Sequence, residues 1–340
     1  MSKILANARI LRMPMAGIPR YLTELISRMK QEVDLVMPRF LEGGLYGHLW
    51  EQLILPSKAR NRLLWSPANT GPLTVSNQVV TIHDISPLDH PEWFRRSYAG
   101  WYRYLIPKLA KRVRKIITVS NFSKERILLH TGVREDKIEV IPLGISGEFF
   151  EIDHHAIDAY RQRVGLPEKY VLTVGSPSPR KNLSTLFVAW EHIYSKIKDF
   201  KLVVAGVSRK VFSQSGFTKI PQGVSLLGFV EDRDLPLLYA GASIFVFPSV
   251  YEGFGLPPLE AMAAGVPVIA SNLASIPEVV GNAALLINPY DPAAIGDAIL
   301  RIVEDDSLRK DLISSGKEHA SKFNWDRTAE QTSIVLKSLL

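Results

Sequence analysis

Short apolar runs and longer amphipathic stretches alternate along this chain. In the first half, Ile4 to Ile10, Val33 to Met37, Leu63 to Trp65, Val79 to Ile82, Ile116 to Val119 and Ile138 to Ile141 have the length and composition of buried strands. Helical spacing fills several of the gaps, as at Arg20 to Lys30 and Phe122 to Thr131. The rhythm breaks over Ile145 to Leu166 and then restarts with Tyr170 to Val174, Leu202 to Ala205, Ser225 to Phe229, Ser243 to Phe247, Val266 to Ala270 and Ala284 to Ile287. Helices are expected at Leu183 to Ile197, Asp234 to Ala240, Ala293 to Glu304, Leu308 to Phe323 behind Ser307 as N-cap, and Asp326 to Leu340. Such alternation predicts an α/β chain of parallel sheets with helices on both faces. Two doubly wound, Rossmann-like domains follow, an N-terminal one over 1–148 and a C-terminal one over 168–325, joined by a linker at 149–167. Ligands of such sheets bind beyond the carboxyl ends of the strands, so two domains facing each other would share one central cleft.

Length and composition agree with two globular domains: 340 residues, 46% hydrophobic and 22% charged. With no cysteine, disulfides and thiolate metal sites are excluded. No apolar run approaches the ~18 residues of a spanning helix, and the opening MSKILANARI turns polar too soon for a signal peptide. A cytoplasmic protein is expected. The net charge of +7 is unevenly spread. Trp93 to Lys124 has no Asp or Glu but carries Arg95, Arg96, Arg103, Lys108, Lys111, Arg112, Arg114, Lys115 and Lys124, with Trp101, Leu105, Leu109 and Val113 at helical spacing. A basic amphipathic helix at about 95–115 suits peripheral contact with an anionic membrane face, such as the inner face of the plasma membrane; a core-facing stripe with a solvated basic side is the alternative. Nothing beyond charge suggests nucleic-acid binding.

The chemistry concentrates between Tyr251 and Ala270. Two strand-like runs flank a Gly-rich loop and a short helix, whose first turn suits Pro257 and Pro258 and whose end suits Gly265. The amides of Gly253, Phe254, Gly255 and Leu256 open onto that helix N-terminus, an anion site. Glu252 and Glu260 bracket the loop with seven residues between them. Carboxylates accept paired hydroxyls well, so the set fits a phosphate between two polyols, the pattern of a nucleotide sugar. Each Glu also reads alternatively as an exposed helix carboxylate.

This stretch resembles the Glu-x7-Glu motif of retaining GT-B glycosyltransferases of family 4. The resemblance implies that Glu252 and the following amides hold the donor sugar and phosphate, that Glu260 holds the ribose, and that the final helix (about 326–340) returns to the N-terminal domain. Thr173 to Asn182 is similar to the family's diphosphate-binding segment, with Arg180 and Lys181 as its basic pair and Ser176 adding a hydroxyl; cations there would stabilise a leaving nucleoside diphosphate. His83 ends a strand, where similar enzymes carry a His that contacts the donor sugar, with Asp84 on the acceptor side or orienting the ring; a satisfied cap or core His is the alternative reading. Gly17 matches a Gly-rich loop of related enzymes, which implies a donor-binding role, whereas Pro19 departs from it; Arg20 reads as an acceptor-side cation or a surface charge. Ser120 to Lys124 is similar to a family segment near the acceptor, and its serines also read as helix caps. Phe229 and Val230 fall where the family holds the base, largely through backbone. Asp232 and Asp234 form an Asp-x-Asp pattern better read as capping the helix that follows than as a metal site. The expectation is a retaining, metal-independent hexosyltransferase without a cofactor, moving glucose from UDP-glucose or mannose from GDP-mannose to a glycan or lipid-linked acceptor. A sugar-nucleotide epimerase and a non-catalytic nucleotide-sugar-binding protein are the competing readings.

Overall fold

A computed structural model describes residues 3–12, 17–38, 44–208 and 220–340. The chain packs as two units, Met1–Gly144 with Asn324–Leu340, and Ile145–Phe323.

The first unit holds a six-stranded parallel sheet of β1 (Ile4–Asn7), β2 (Val33–Val36), β3 (Leu63–Ser66), β4 (Gln78–Thr81), β5 (Lys115–Thr118) and β6 (Ile138–Val140), in the order β2-β1-β3-β4-β5-β6. β1 pairs with β2 through Ile4 and Val33 and with β3 through Ile4 and Leu63. β1, β3 and β4 are buried throughout, which explains their unbroken apolar runs: helices cover both faces. The helix Arg96–Arg112 sends Leu105, Ile106 and Leu109 into a core with Val80, Ile82, Ile116 and Ile127. Of the stripe that the sequence offered to a membrane, Leu105, Leu109 and Val113 are therefore core, and Trp101 packs half-buried against it. Arg96, Arg103, Lys108, Lys111 and Arg112 are exposed on the same helix.

The second unit repeats the plan with β7 (Tyr170–Val174), β8 (Lys201–Ala205), β9 (Val224–Gly228), β10 (Ile244–Phe247), β11 (Val268–Ser271) and β12 (Leu285–Ile287), all parallel, in the order β12-β11-β10-β7-β8-β9. Its core gathers Leu186, Trp190 and Ile193 from one helix, Ile295 and Ile299 from another, and Leu202, Val204, Val246 and Ile269 from the sheet. In each sheet the strand order reverses once, between β1 and β3 and between β7 and β10. The two helices that leave such a point cover opposite faces, so a crevice opens beyond the strand ends.

Several boundaries differ from expectation, each for a local reason. The first strand stops at Asn7 rather than Ile10, because the Asn7 side chain turns back to accept the Arg9 amide at 3.3 Å. Gly17 does not precede the first helix but opens it, over Gly17–Arg28. The stretch 149–167, read as linker, contains the helix His154–Val164, capped by Asp153 and closed by Gly165 in the left-handed conformation, and it belongs to the second unit. Asp305, not Ser307, caps the helix Asp306–Ala320, accepting the Leu308 amide at 2.9 Å. Asp234, the N-cap residue of Leu235–Ala240, makes no side-chain cap there; its carboxylate instead binds Arg163 at 2.8 Å. The final helix is Trp325–Lys337 and packs on Gly17–Arg28 within the first unit.

Candidate functional site

In the second unit, β7 and β10 deliver the predicted basic pair and the first Glu to the reversal point. Beyond β7 the chain makes a tight turn at Pro179–Lys181, ended by Asn182 at φ +53. The Asn182 amide donates to the carbonyls of Pro248 and Pro289 at 3.3 and 2.6 Å, which ties the turn to the segments leaving β10 and β12. From that anchor, Lys181 Nζ reaches Glu252 Oε1 at 2.6 Å, while Arg180 Nη1 stands 4.0 Å from Oε2. The Lys181 ammonium also lies 4.7 Å from the centre of the Phe247 ring, and its stem runs so close to Gly175 that a Cβ there would sit 3.1 Å from it. Glu252 is 8% exposed. Burial acts to raise its pKa; the charges of Lys181 and Arg180 outweigh burial and hold it below the usual carboxylate range, so the group is an anion. Ser249, fully buried, sits beside this carboxylate without a well-formed hydrogen bond among the described residues.

The loop after Glu252 is fixed from behind. Ser275 Oγ donates to the carbonyls of Glu252 and Phe254, at 2.9 and 2.7 Å. Gly255 takes φ +114, which only glycine adopts easily, and an added Cβ would meet Ile276 Cδ1 at 2.6 Å. From Gly255 the chain enters the helix Leu256–Ala263 with Pro257 and Pro258 in its first turn, as expected. With the carbonyls of Glu252 and Phe254 engaged by Ser275, the loop backbone is held in place ahead of the helix N-terminus. Glu260, on that helix, is not the exposed carboxylate of the alternative reading: it is 5% exposed and accepts the Tyr239 hydroxyl at 3.0 Å.

Of the other predicted donor-side residues, Ser176, Phe229 and Val230 spread out within the same unit, and Gly17 and His83 belong to the first. Ser176 is exposed and bonds Ser178 at 3.4 Å. Phe229 is 73% exposed and Val230 half-buried, just past β9. Tyr239, Ser249 and Ser275 were not singled out in the sequence; they converge on the two Glu residues through folding, and only their strand-end or helix positions could have signalled them.

In the first unit, His83 lies two residues past β4, buried. Its amide donates to Asn69 Oδ1 at 2.7 Å, its carbonyl accepts Ser123 Oγ at 3.0 Å, and the Tyr21 ring meets it edge-on at 4.7 Å. Nε2 is 2.9 Å from the Pro67 carbonyl, which can only accept, so Nε2 carries the proton and Nδ1 keeps a lone pair. Burial lowers the His83 pKa, against the Pro67 carbonyl and the Asp84 charge, so the ring is neutral. Asp84 Oδ1 is taken up by the Ser86 amide and hydroxyl at 2.9 and 2.6 Å. Gly17 and Arg20 lie in the first turn of the Gly17–Arg28 helix, Arg20 half-buried. Ser120 caps the helix Asn121–Thr131 through the Ser123 amide.

Comparison with known proteins agrees with this geometry. A family model described as glycosyl transferases group 1 matches residues 157–319, and one described as glycosyltransferase family 4 matches residues 59–149. The O-antigen chain mannosyltransferase B of Escherichia coli is 34% identical over 274 residues, 79% of this chain and 72% of that protein. The serotype-specific mannosyltransferase WbdA of Escherichia coli is 29% identical over 262 residues, which are 74% of this chain and only 32% of WbdA. Among solved structures, Anabaena Alr3699/HepE in complex with UDP-glucose superposes with a TM-score of 0.76 at 18% identity, over 98% of this chain and 99% of that one. With two doubly wound parallel sheets, an acid–base pair and a Gly-rich loop at the reversal of the second, and these relatives, the chain belongs to the group 1, family 4 glycosyltransferases of GT-B fold.

Proposed function

We propose that the chain is a retaining, metal-independent hexosyltransferase of polysaccharide biosynthesis that moves mannose from GDP-mannose to a hydroxyl of a glycan or lipid-linked acceptor. The carrying observation is the Lys181–Glu252 pair at 2.6 Å, set beside Arg180 and the braced loop from Gly253 to Leu256. The names of mannosyltransferase B and WbdA favour mannose; glucose from UDP-glucose, the ligand in the HepE complex, is the rival donor. In this reading Arg180, Lys181 and the loop amides neutralise the departing diphosphate. Glu252 and the free lone pair of His83 Nδ1 take donor-sugar hydroxyls, and Glu260 takes the ribose. The acceptor oxygen forms its bond to the anomeric carbon as the carbon–phosphate oxygen bond breaks, and a diphosphate oxygen on the same face receives the acceptor proton.

The deciding experiment is a panel of nucleotide sugars offered to the purified protein in chelator, reading nucleoside diphosphate release. Release from GDP-mannose above all others supports the assignment. Release that needs a divalent ion would overturn metal independence, and release from UDP-glucose alone would replace the donor. The outward basic face of Arg96–Arg112 supports peripheral membrane contact; co-sedimentation with anionic vesicles should fall when Lys108 and Arg112 are both changed to Glu. No helix among the described residues is long and apolar enough to cross a membrane.

A further inference from the structure

Glu252 is a buried anion whose nearest cation is the group that a diphosphate would claim. Lys181 Nζ holds Oε1 at 2.6 Å, and Arg180 Nη1 stands 4.0 Å from Oε2. A buried charge deprived of its partner is strongly destabilising. A ligand that draws Lys181 away therefore leaves Glu252 in need of another donor. Ser249 is 1% exposed, and its hydroxyl makes no hydrogen bond of ordinary geometry among the described residues. It is nevertheless close enough to the Glu252 carboxylate to help lower its pKa as a hydrogen-bonding group. Together these describe a hydroxyl within reach of the carboxylate but not aligned with it while Lys181 is in place. Such orphaned hydroxyls are rare, because burial strips their bonds to water without replacement.

The main chain around Ser249 is fixed on both sides. The Pro248 carbonyl accepts from Asn182 Nδ2 at 3.3 Å, and the Val250 amide donates to the Arg180 carbonyl at 2.8 Å. Both bonds run to the turn Pro179–Lys181 and the Asn182 that ends it, the segment that also carries Lys181. The Glu252 carbonyl is held separately, by Ser275 Oγ at 2.9 Å. With the backbone tied at both residues, what remains free is rotation of the two side chains. Such a change of rotamer is local and moves neither strand nor loop. A hydroxyl that turns to donate to a carboxylate forms a charge-assisted bond, stronger than one between neutral groups. Glu252 can thus exchange an ammonium partner for a hydroxyl without leaving its place.

We infer that Ser249 is a positioning residue: its hydroxyl donates to Glu252 when a diphosphate takes Lys181, and so keeps the carboxylate directed at the donor sugar. The inference rests on the hexosyltransferase reading, and the arms of its test separate the two. GDP and UDP are titrated calorimetrically into full-length wild type, Ser249→Ala, Glu252→Gln and the double variant, and each protein is melted without ligand. Ser249→Ala should melt like wild type, since the hydroxyl makes no ordinary bond in the free protein. It should bind nucleotide about tenfold more weakly, the effect of losing a hydrogen bond to a charged group. In the Glu252→Gln background the same change should alter binding by less than about twofold, because a neutral amide does not depend on that donor. No loss with Glu252 present, or equal loss in both backgrounds, overturns the inference; equal loss is what a purely structural role gives. A wild type that binds neither nucleotide brings down the donor reading, and Lys181→Met then decides Ser249, since it removes the ammonium without any ligand. Ser249→Ala should lower the melting temperature by several degrees in that background and leave it unchanged in wild type; equal shifts in the two overturn the role. If circular dichroism shows that Ser249→Ala does not fold, Ser249→Cys takes its place, with a side chain of similar shape and only a weak donor.

Discussion

Lys181 and Glu252 neutralise each other in a nearly dry place, so a diphosphate that approaches Lys181 must compete with a carboxylate already bonded to it at 2.6 Å. Changing Glu252 to Gln keeps shape and hydrogen bonding but removes the competing charge. The nucleoside diphosphate should then bind as tightly as to wild type or more tightly in calorimetry, while transfer falls roughly 100-fold or more, the scale of losing a group that acts on the transition state. Loss of nucleotide binding together with transfer would make Glu252 a scaffold instead. His83 carries the pH dependence of the first unit. Its folded pKa lies below the 6.5 of a free imidazole, so the unfolded chain takes up a proton first as the medium is acidified. The stability it contributes is complete above about pH 6.5 and is lost as pH falls below that. Urea unfolding from about pH 7.5 to about 5 should therefore slope more steeply for wild type than for His83→Gln, which retains an N–H for the Pro67 carbonyl. The residues that could be read directly, Glu252, Glu260, Arg180 and Lys181, are polar groups crowded into short Gly- and Pro-marked segments. Tyr239 and Ser275 could not, since their roles exist only once distant parts of the chain meet.

At the scale of elements, the loop into Leu256–Ala263 depends on Gly255. An Ala there must adopt φ near +114 and displace Ile276 Cδ1 from 2.6 Å. Strain of this kind costs about 1–3 kcal/mol, so Gly255→Ala should lower the melting temperature by several degrees and weaken nucleotide binding in the same sample. A variant that melts and binds like wild type would show that the loop conformation is not required. This element was legible because strand, glycines, prolines and helix follow one another without interruption. The helix His154–Val164 was not: it carries His154, His155, Asp158, Arg161 and Arg163, and its sparse apolar positions, Ile157 and Tyr160, become meaningful only when buried. Asp234 misled in the opposite way, since Arg163, far away in sequence, claims its carboxylate.

For the whole molecule, alternation of strand and helix was enough to predict two doubly wound sheets, because parallel strands buried on both faces leave an unbroken apolar signature. Strand order was not legible, and so neither was the reversal point that brings Lys181 to Glu252. The return of the chain to the first unit depends on Gly144, where a Cβ would lie 2.2 Å from the Trp325 backbone nitrogen. Gly144→Ala must shift main chain, and overpacking of this sort costs about 1–3 kcal/mol. The first unit should lose that stability in chemical unfolding while nucleotide still binds the second; an unchanged unfolding curve would show that the crossing has slack. The same return has a consequence for biosynthesis. Trp325, 1% exposed, packs near Tyr21, and Asp326 pairs with Arg28, so residues early in the chain acquire partners that leave the ribosome only after the whole of Ile145–Phe323. The unit whose synthesis starts first is completed last, and during translation its unfinished face must be kept from aggregating while the second unit folds.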